Sequence, residues 1–220
     1  MDFRKCTVNG VSYGKGITEI GKAAFMLQGD EIPDDVLAGE MMSREHAEMH
    51  KQPHVNFYDQ AIRFDLCGAK TEEQGESLRV ARQRLGKARS CPYKLPSDSP
   101  RSSLLATIVT AIALQDFFTV LALCHSVIPE HDEETGEVHL SASSPDDEAL
   151  VCGAKFFGFD FIDRKQGNAT LKLSTGEEKT YQILEMIEFN STRKRMSVVV
   201  KKNDCIELYS KGADTVMIPR

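Results

Sequence analysis

The residues best suited to chemistry lie near the end of the sequence. Phe189-Asn190-Ser191-Thr192-Arg193-Lys194-Arg195-Met196 sets an aromatic ring ahead of three cations, and Lys211-Gly212-Ala213-Asp214 follows. That set suits a flat, anionic ligand. The Phe189 ring would stack on a planar base for ~1–3 kcal/mol. The cations would meet phosphate oxygens, and Gly212 would let the backbone approach closely. An ordinary core phenylalanine followed by a solvated turn has the same spacing. Both readings stay open here.

Other familiar chemistry is missing. There is no G-x-x-x-x-G-K-[ST] phosphate loop, no G-x-G-x-x-G fingerprint and no G-x-S-x-G nucleophile elbow. Gly14-Lys15-Gly16 runs into Ile17-Thr18-Glu19 instead. The common self-contained hydrolases are thereby disfavoured. His46, His50 and His54 are spaced by four and, with Glu45 or Glu48, would offer a zinc-like donor set on one helical face. Pro53 would break that helix before His54, so a solvated surface is the expectation. Six scattered cysteines without a C-x-x-C pair read as free thiols of a reducing compartment.

Three stretches of distinct composition must position these groups. From Met1 to about Leu66 there are two short apolar runs, Cys6–Val11 and Phe57-Tyr58. Between them come a helix capped by Thr18 and a Pro/Asp turn at Ile32-Pro33-Asp34-Asp35. Cys67–Ser103 passes from acidic to basic to Pro/Ser-rich with few large apolar residues, too few to offset chain entropy. It reads as a mobile surface insert. Leu104–Arg220 is patterned throughout.

Within that last stretch, Leu104–Ile128 is long enough to cross a bilayer. Asp116 at its centre would cost about 2.5–3.5 kcal/mol there. Phe117, Leu121, Cys124 and Ile128 recur at helical spacing, so a buried helix is expected. Val138-His139-Leu140 reads as a strand. Ser144-Pro145-Asp146-Asp147-Glu148 then carries the marks of a helix start: a Ser cap, Pro in the first position and acids in the first turn. Gly158 would end that helix. Strands follow at Phe159–Ile162, Ala169–Leu173, Tyr181–Phe189, Met196–Val200 and Cys205–Tyr209, with turns at Thr175-Gly176 and Asn203-Asp204. Short turns between strands predict an α+β fold with an antiparallel sheet flanked by helices.

Composition sets the outer limits. The 220 residues are 41% apolar and 27% charged, which is ordinary for a globular chain, and they suffice for a sizeable core. A net charge of −6 argues against wholesale nucleic-acid binding. Met1-Asp2-Phe3-Arg4-Lys5 leads into no apolar stretch, so no signal peptide is expected.

Several blocks, in order, resemble the nucleotide-binding domain of type IV P-type ATPases, the phospholipid flippases. They are Cys6-x-Val8-x-Gly10-x-x-Tyr13-Gly14, Phe117-Phe118 through His125, Ser144-Pro145-Asp146-Asp147-Glu148-Ala149-Leu150-Val151, Phe189-x-Ser191-x-Arg193-Lys194-Arg195-Met196 and Lys211-Gly212-Ala213-Asp214. The last block is shared by many P-type pumps; the Ser-Pro-Asp and Arg-Lys-Arg-Met blocks point to lipid flippases rather than cation pumps.

The resemblance implies an ATP pocket. Phe189 would stack on adenine, Lys211 would line the pocket beside Gly212, and Ser191 and Lys194 would help hold ribose and phosphates. Either Asp147 or Glu148 would stand where the family has an acidic pocket residue. It further implies Mg2+ arriving with ATP, a phosphorylated aspartate and metal-coordinating aspartates outside Met1–Arg220, and a domain whose closing elements follow Arg220. It implies a phospholipid substrate handled by membrane helices, an accessory subunit, and a cytosolic position for this segment of a membrane pump. The alternatives are the same domain of a cation pump and a non-enzymatic interaction module using the insert or the histidines.

Overall fold

The computed structural model describes residues 1–67, 104–131, 138–142, 144–202 and 205–219. All but the first residue of the expected insert, and the Asn203-Asp204 turn, lie outside them. The fold is α+β, as the pattern of strands and short turns predicts.

Five strands form an antiparallel meander: β5 (Phe159–Lys165), β6 (Asn168–Leu173), β7 (Glu178–Asn190), β8 (Arg195–Lys202) and β9 (Cys205–Gly212). Met196, Val198 and Val200 of β8 are buried on one face, opposite Lys211, Tyr209 and Glu207 of β9. Directly paired residues share a face, so Lys211 sits on the buried side of the sheet beside Met196. Two smaller hairpins complete the strand set. One pairs β1 (Cys6–Val8) with β2 (Val11–Tyr13), and the other pairs β3 (Ile128–His131) with β4 (Val138–Ser141). Asn9 and Gly10 take positive φ between β1 and β2, the geometry a tight hairpin demands.

The helices are α1 (Glu19–Gln28), α2 (Asp34–His50), α3 (Gln60–Cys67), α4 (Leu104–Leu123), α5 (Pro145–Phe156) and α6 (Asp214–Met217). Thr18 caps α1 by accepting the Gly21 N–H at 3.1 Å. The expected turn at Ile32–Asp35 is instead the start of α2, with Pro33 at its N-cap. Asp34 and Asp35 in the first turn complement the helix dipole, which is why a turn-like tetrapeptide begins a helix. Gly39 on α2 has the Lys15 carbonyl only 2.3 Å from where a Cβ would stand, so no larger residue fits.

Helix α4 is buried along Ile108, Ala111, Leu114, Phe118, Leu121 and Ala122. Leu121 and Cys124 of the expected stripe are buried and Phe117 packs partly against the core, while Ile128 is exposed because the helix stops at Leu123. Among the described residues, no helix is long and apolar enough to cross a membrane. Phe3, Phe57, Phe118, Phe157 and Phe159 meet in one aromatic cluster, with ring centroids 4.6–5.8 Å apart for the Phe3–Phe57, Phe118–Phe157 and Phe118–Phe159 pairs. The first residues of the chain are thereby tied into the same core as the sheet.

A polar corner follows α4. His125 is completely buried; its Nε2–H donates to the Ala122 carbonyl at 2.9 Å, and its Nδ1 accepts the Val127 N–H at 3.1 Å. Arg164 reaches in from β5 to donate to the carbonyls of Leu123 (2.9 Å) and His125 (3.1 Å). A cation on the orphan carbonyls of a helix C-terminus satisfies both hydrogen bonding and dipole. A register shift between Phe161 and Asp163 makes this possible. It sets Arg164 opposite the buried Ala169, on the core face, where simple alternation from Phe161 would have turned it outward.

Candidate nucleotide-binding site

Asp147 and Lys211 form a buried pair at the centre of the candidate site. Lys211 Nζ lies 2.6 Å from Asp147 Oδ1, and both side chains are largely buried. Asp147 is in the first turn of α5, where acids are favoured, yet it does not cap its own helix. Its Oδ2 instead accepts the Ser126 N–H at 3.1 Å and lies 3.3 Å from the Ser126 hydroxyl. Burial opposes ionisation of Asp147. The hydrogen bond and charge of Lys211, with the Ser126 N–H, outweigh it and hold the carboxyl below its ordinary range.

Glu148, one residue on, points elsewhere. Its Oε1 is 3.3 Å from His54 Nε2. The three spaced histidines also part company: His46 and His50 stack at 4.0 Å on α2, while His54 takes a positive φ and faces Glu148 and the Met1 carbonyl. Among the described residues, no group of three or more His, Cys, Asp or Glu side chains is gathered to hold a metal ion. Asp147 is committed to Lys211 and Ser126.

Phe189 is 63% exposed, which removes the core reading of that residue. Its direction comes from a second irregularity. Ile187 pairs with Ser197 and Asn190 with Arg195, so Glu188 and Phe189 together oppose Met196. Two residues facing one is a bulge, which re-aims side chains at sheet rims. By register Phe189 stands next to Met196, whose other neighbour is Lys211. The sheet thus presents an open ring and a buried ammonium on either side of one residue.

Ser191 and Lys194 lie exposed in the turn between β7 and β8. The Asn190 side chain shapes that turn by accepting the Thr192 N–H at 2.8 Å, and Lys194 adopts φ 51°. Gly212 has a different neighbour from the one its spacing suggests. A Cβ there would meet the Lys194 carbonyl at 2.5 Å and Arg195 Cβ at 2.6 Å. The close approach is made by the chain's own β7–β8 turn, which the Ala213 N–H locks by donating to that carbonyl at 3.0 Å. Gly212 therefore ties the cationic turn to the lysine strand.

Ser126 and Arg164 are the residues that sequence reasoning missed. Ser126 lies 21 residues from Asp147, and nothing in its surroundings marks it. Arg164 would have been found only by anticipating the bulge before it.

Residues 113–220 match the P-type ATPase cytoplasmic domain N, and the chain belongs to that family. Its similarity is to the lipid-transporting branch. Over its whole length the chain is 37% identical, across 226 aligned positions, to Phospholipid-transporting ATPase 10 of Arabidopsis thaliana. Half of it (49%) is 50% identical to Phospholipid-transporting ATPase DRS2 of Saccharomyces cerevisiae. The chain spans 15% of the first relative's length and 8% of the second's.

Proposed function

We propose that the chain binds Mg-ATP between Phe189 and Lys211 and presents it to a phosphorylatable aspartate elsewhere in a phospholipid-translocating pump. The observation that carries this reading is the pairing of an exposed ring with a buried, oriented ammonium across Met196. Adenine would stack on Phe189. Lys211, held at 2.6 Å by Asp147, would line the floor of the pocket. Lys194 and Ser191, exposed in the adjoining turn, would meet ribose and phosphates.

Asp147 rather than Glu148 is the acid of this site, because it alone contacts Lys211. Its role is to orient Lys211. Mg2+ would supply charge neutralisation on the phosphates and would travel with ATP. The chain's own residues bind and orient; phosphoryl transfer depends mainly on such positioning and on charge. The phospholipid substrate, the accessory subunit and the placement on the cytosolic side of a membrane belong to this same proposal, through the relatives' names.

Phe189→Ala tests the stacking. The exposed ring contributes little to the core, so stability should hold within about 0.5 kcal/mol. ATP affinity should fall about 10- to 100-fold, the worth of one aromatic–base stack, while affinity for inorganic triphosphate stays unchanged. Calorimetric titration with both ligands reads this directly. Equal losses for both, or none for ATP, would remove Phe189 from the site.

A further inference from the structure

Helix α1 is capped at both ends but buried on no side. Thr18 caps its start. At its end Gly29 takes the left-handed conformation, and the Gly29 and Asp30 N–H groups donate to the carbonyls of Met26 (3.3 Å) and Phe25 (3.1 Å). Yet none of its ten residues is buried. Ile20, Ala23, Ala24 and Leu27 fall at i, i+3, i+4 and i+7, the spacing of a single apolar stripe. All four are exposed, Ile20 at 84% and Leu27 at 89%. A helix this short is marginal in water, and helices in proteins gain most of their stability by packing such a face.

Helix α2 also keeps its apolar residues outward. It buries Gly39, Glu40 and Ser43 while Leu37, Met41, Met42 and Met49 are exposed. Glu40 holds the polar face inward: its Oε2 accepts the Ile17 N–H at 3.1 Å, and its Oε1 accepts from Arg4 Nη1 at 3.2 Å. The same Ile17 bond fixes the start of α1 to α2.

The charge around the stripe says what would cover it. Residues 19–50 hold eight carboxylates against Lys22 and Arg44, a net charge of −6 that equals the whole chain's. All of these acids except Glu40 are exposed. Asp30 and Glu31 follow the α1 cap, and Asp34 and Asp35 open α2. An anionic membrane surface would be repelled here. A helix with an apolar face and a lysine- or arginine-rich rim is complementary in both respects.

We propose that the α1 stripe is a docking surface for a basic amphipathic helix of a partner protein. The partner's apolar side chains pack between Ile20 and Leu27, over Ala23 and Ala24, whose small size lets a second helix come close. Its cations meet Asp30, Glu31, Asp34 and Asp35. None of these residues belongs to the Phe189–Lys211 site.

The probe is a synthetic peptide of about 18 residues with Leu at helical spacing and Lys elsewhere, titrated into the chain and followed by methyl NMR. A second peptide carries Glu in place of every Lys. The expected result is saturable binding of the Lys peptide, with shifts centred on Ile20, Ala23, Ala24 and Leu27, and binding of the Glu peptide at least about tenfold weaker. Leu27→Gln should weaken the Lys peptide at least about tenfold, through loss of one buried leucine contact. Leu27 is exposed, so this variant keeps the fold and its ATP affinity is unchanged. No saturable binding, equal binding of the Glu peptide, shifts centred elsewhere or an unaffected Leu27→Gln variant would each overturn the assignment. A concentration-dependent dimer abolished by Leu27→Gln would give the stripe to a second copy of the chain and overturn it as well.

Discussion

Replacing Lys211 with methionine should cost about 3 kcal/mol of stability and weaken ATP binding at least about tenfold. The two losses have one origin. Lys211 Nζ and Asp147 Oδ1 are 2.6 Å apart with little access to solvent. Taking away the cation leaves a buried carboxylate that still accepts from Ser126 but has lost its paired charge, and burial then favours its neutral form. Removing one member of a buried pair is far more damaging than removing both. Lys211→Met combined with Asp147→Asn should therefore regain most of the stability while ATP binding stays lost. Urea unfolding and ATP titration of the two variants measure both effects. A double variant as unstable as the single one would mean that the pair is not what holds this corner.

The second large effect is an acid-induced loss of stability centred on His125. Burial, then the charge of Arg164, pushes the His125 pKa down from 6.5 to about 3. Below pH 6.5 the unfolded chain takes up a proton at this residue that the folded chain refuses. Stability is complete above pH 6.5 and declines as pH falls towards 3. The loss reaches about 2 kcal/mol at pH 5, at 1.36 kcal/mol per pH unit. The lowered pKa of Asp147 extends the decline below its unfolded value of 3.8, again with stability lost as pH falls. Urea unfolding between pH 7.5 and 5 should show the decline in the wild type. It should be largely flat in His125→Gln, which starts less stable because two hydrogen bonds inside the corner are disturbed. Equal slopes in both chains would remove His125 from the account.

Much of this architecture was legible in the sequence because local rules were obeyed. Thr18 before α1, Pro145 and three acids opening α5, and Thr175-Gly176 between β6 and β7 each announce themselves through caps and turns. The site was half legible. Phe189 and Lys211 stand out by type and by block, and the register places them on either side of Met196. Their relation to Asp147 depends on a contact across 64 residues, which no spacing rule encodes.

The features that sequence reading did not reach share a physical cause. Alternation along β7 would put Glu185 and Ile187 beside Tyr181. Irregularities between Ile183 and Glu185, and between Ile187 and Asn190, turn the middle of the strand outward and bring Phe189 back opposite Met196. Arg164 is turned inward by the same device. One extra residue reverses every side chain after it, so the positions that orient the site are those where a period of two fails. Gly212 shows a different limit of sequence reading. Its small size serves the chain's own turn, and a sequence does not say whose backbone comes close.

The most direct measurement is an ATP titration of the wild-type chain followed residue by residue by NMR. The account predicts saturable changes concentrated at Phe189–Lys194 and Lys211–Ala213, with Asp147 and Ser126 responding through Lys211. A folded chain in which ATP leaves those residues unmoved would contradict it.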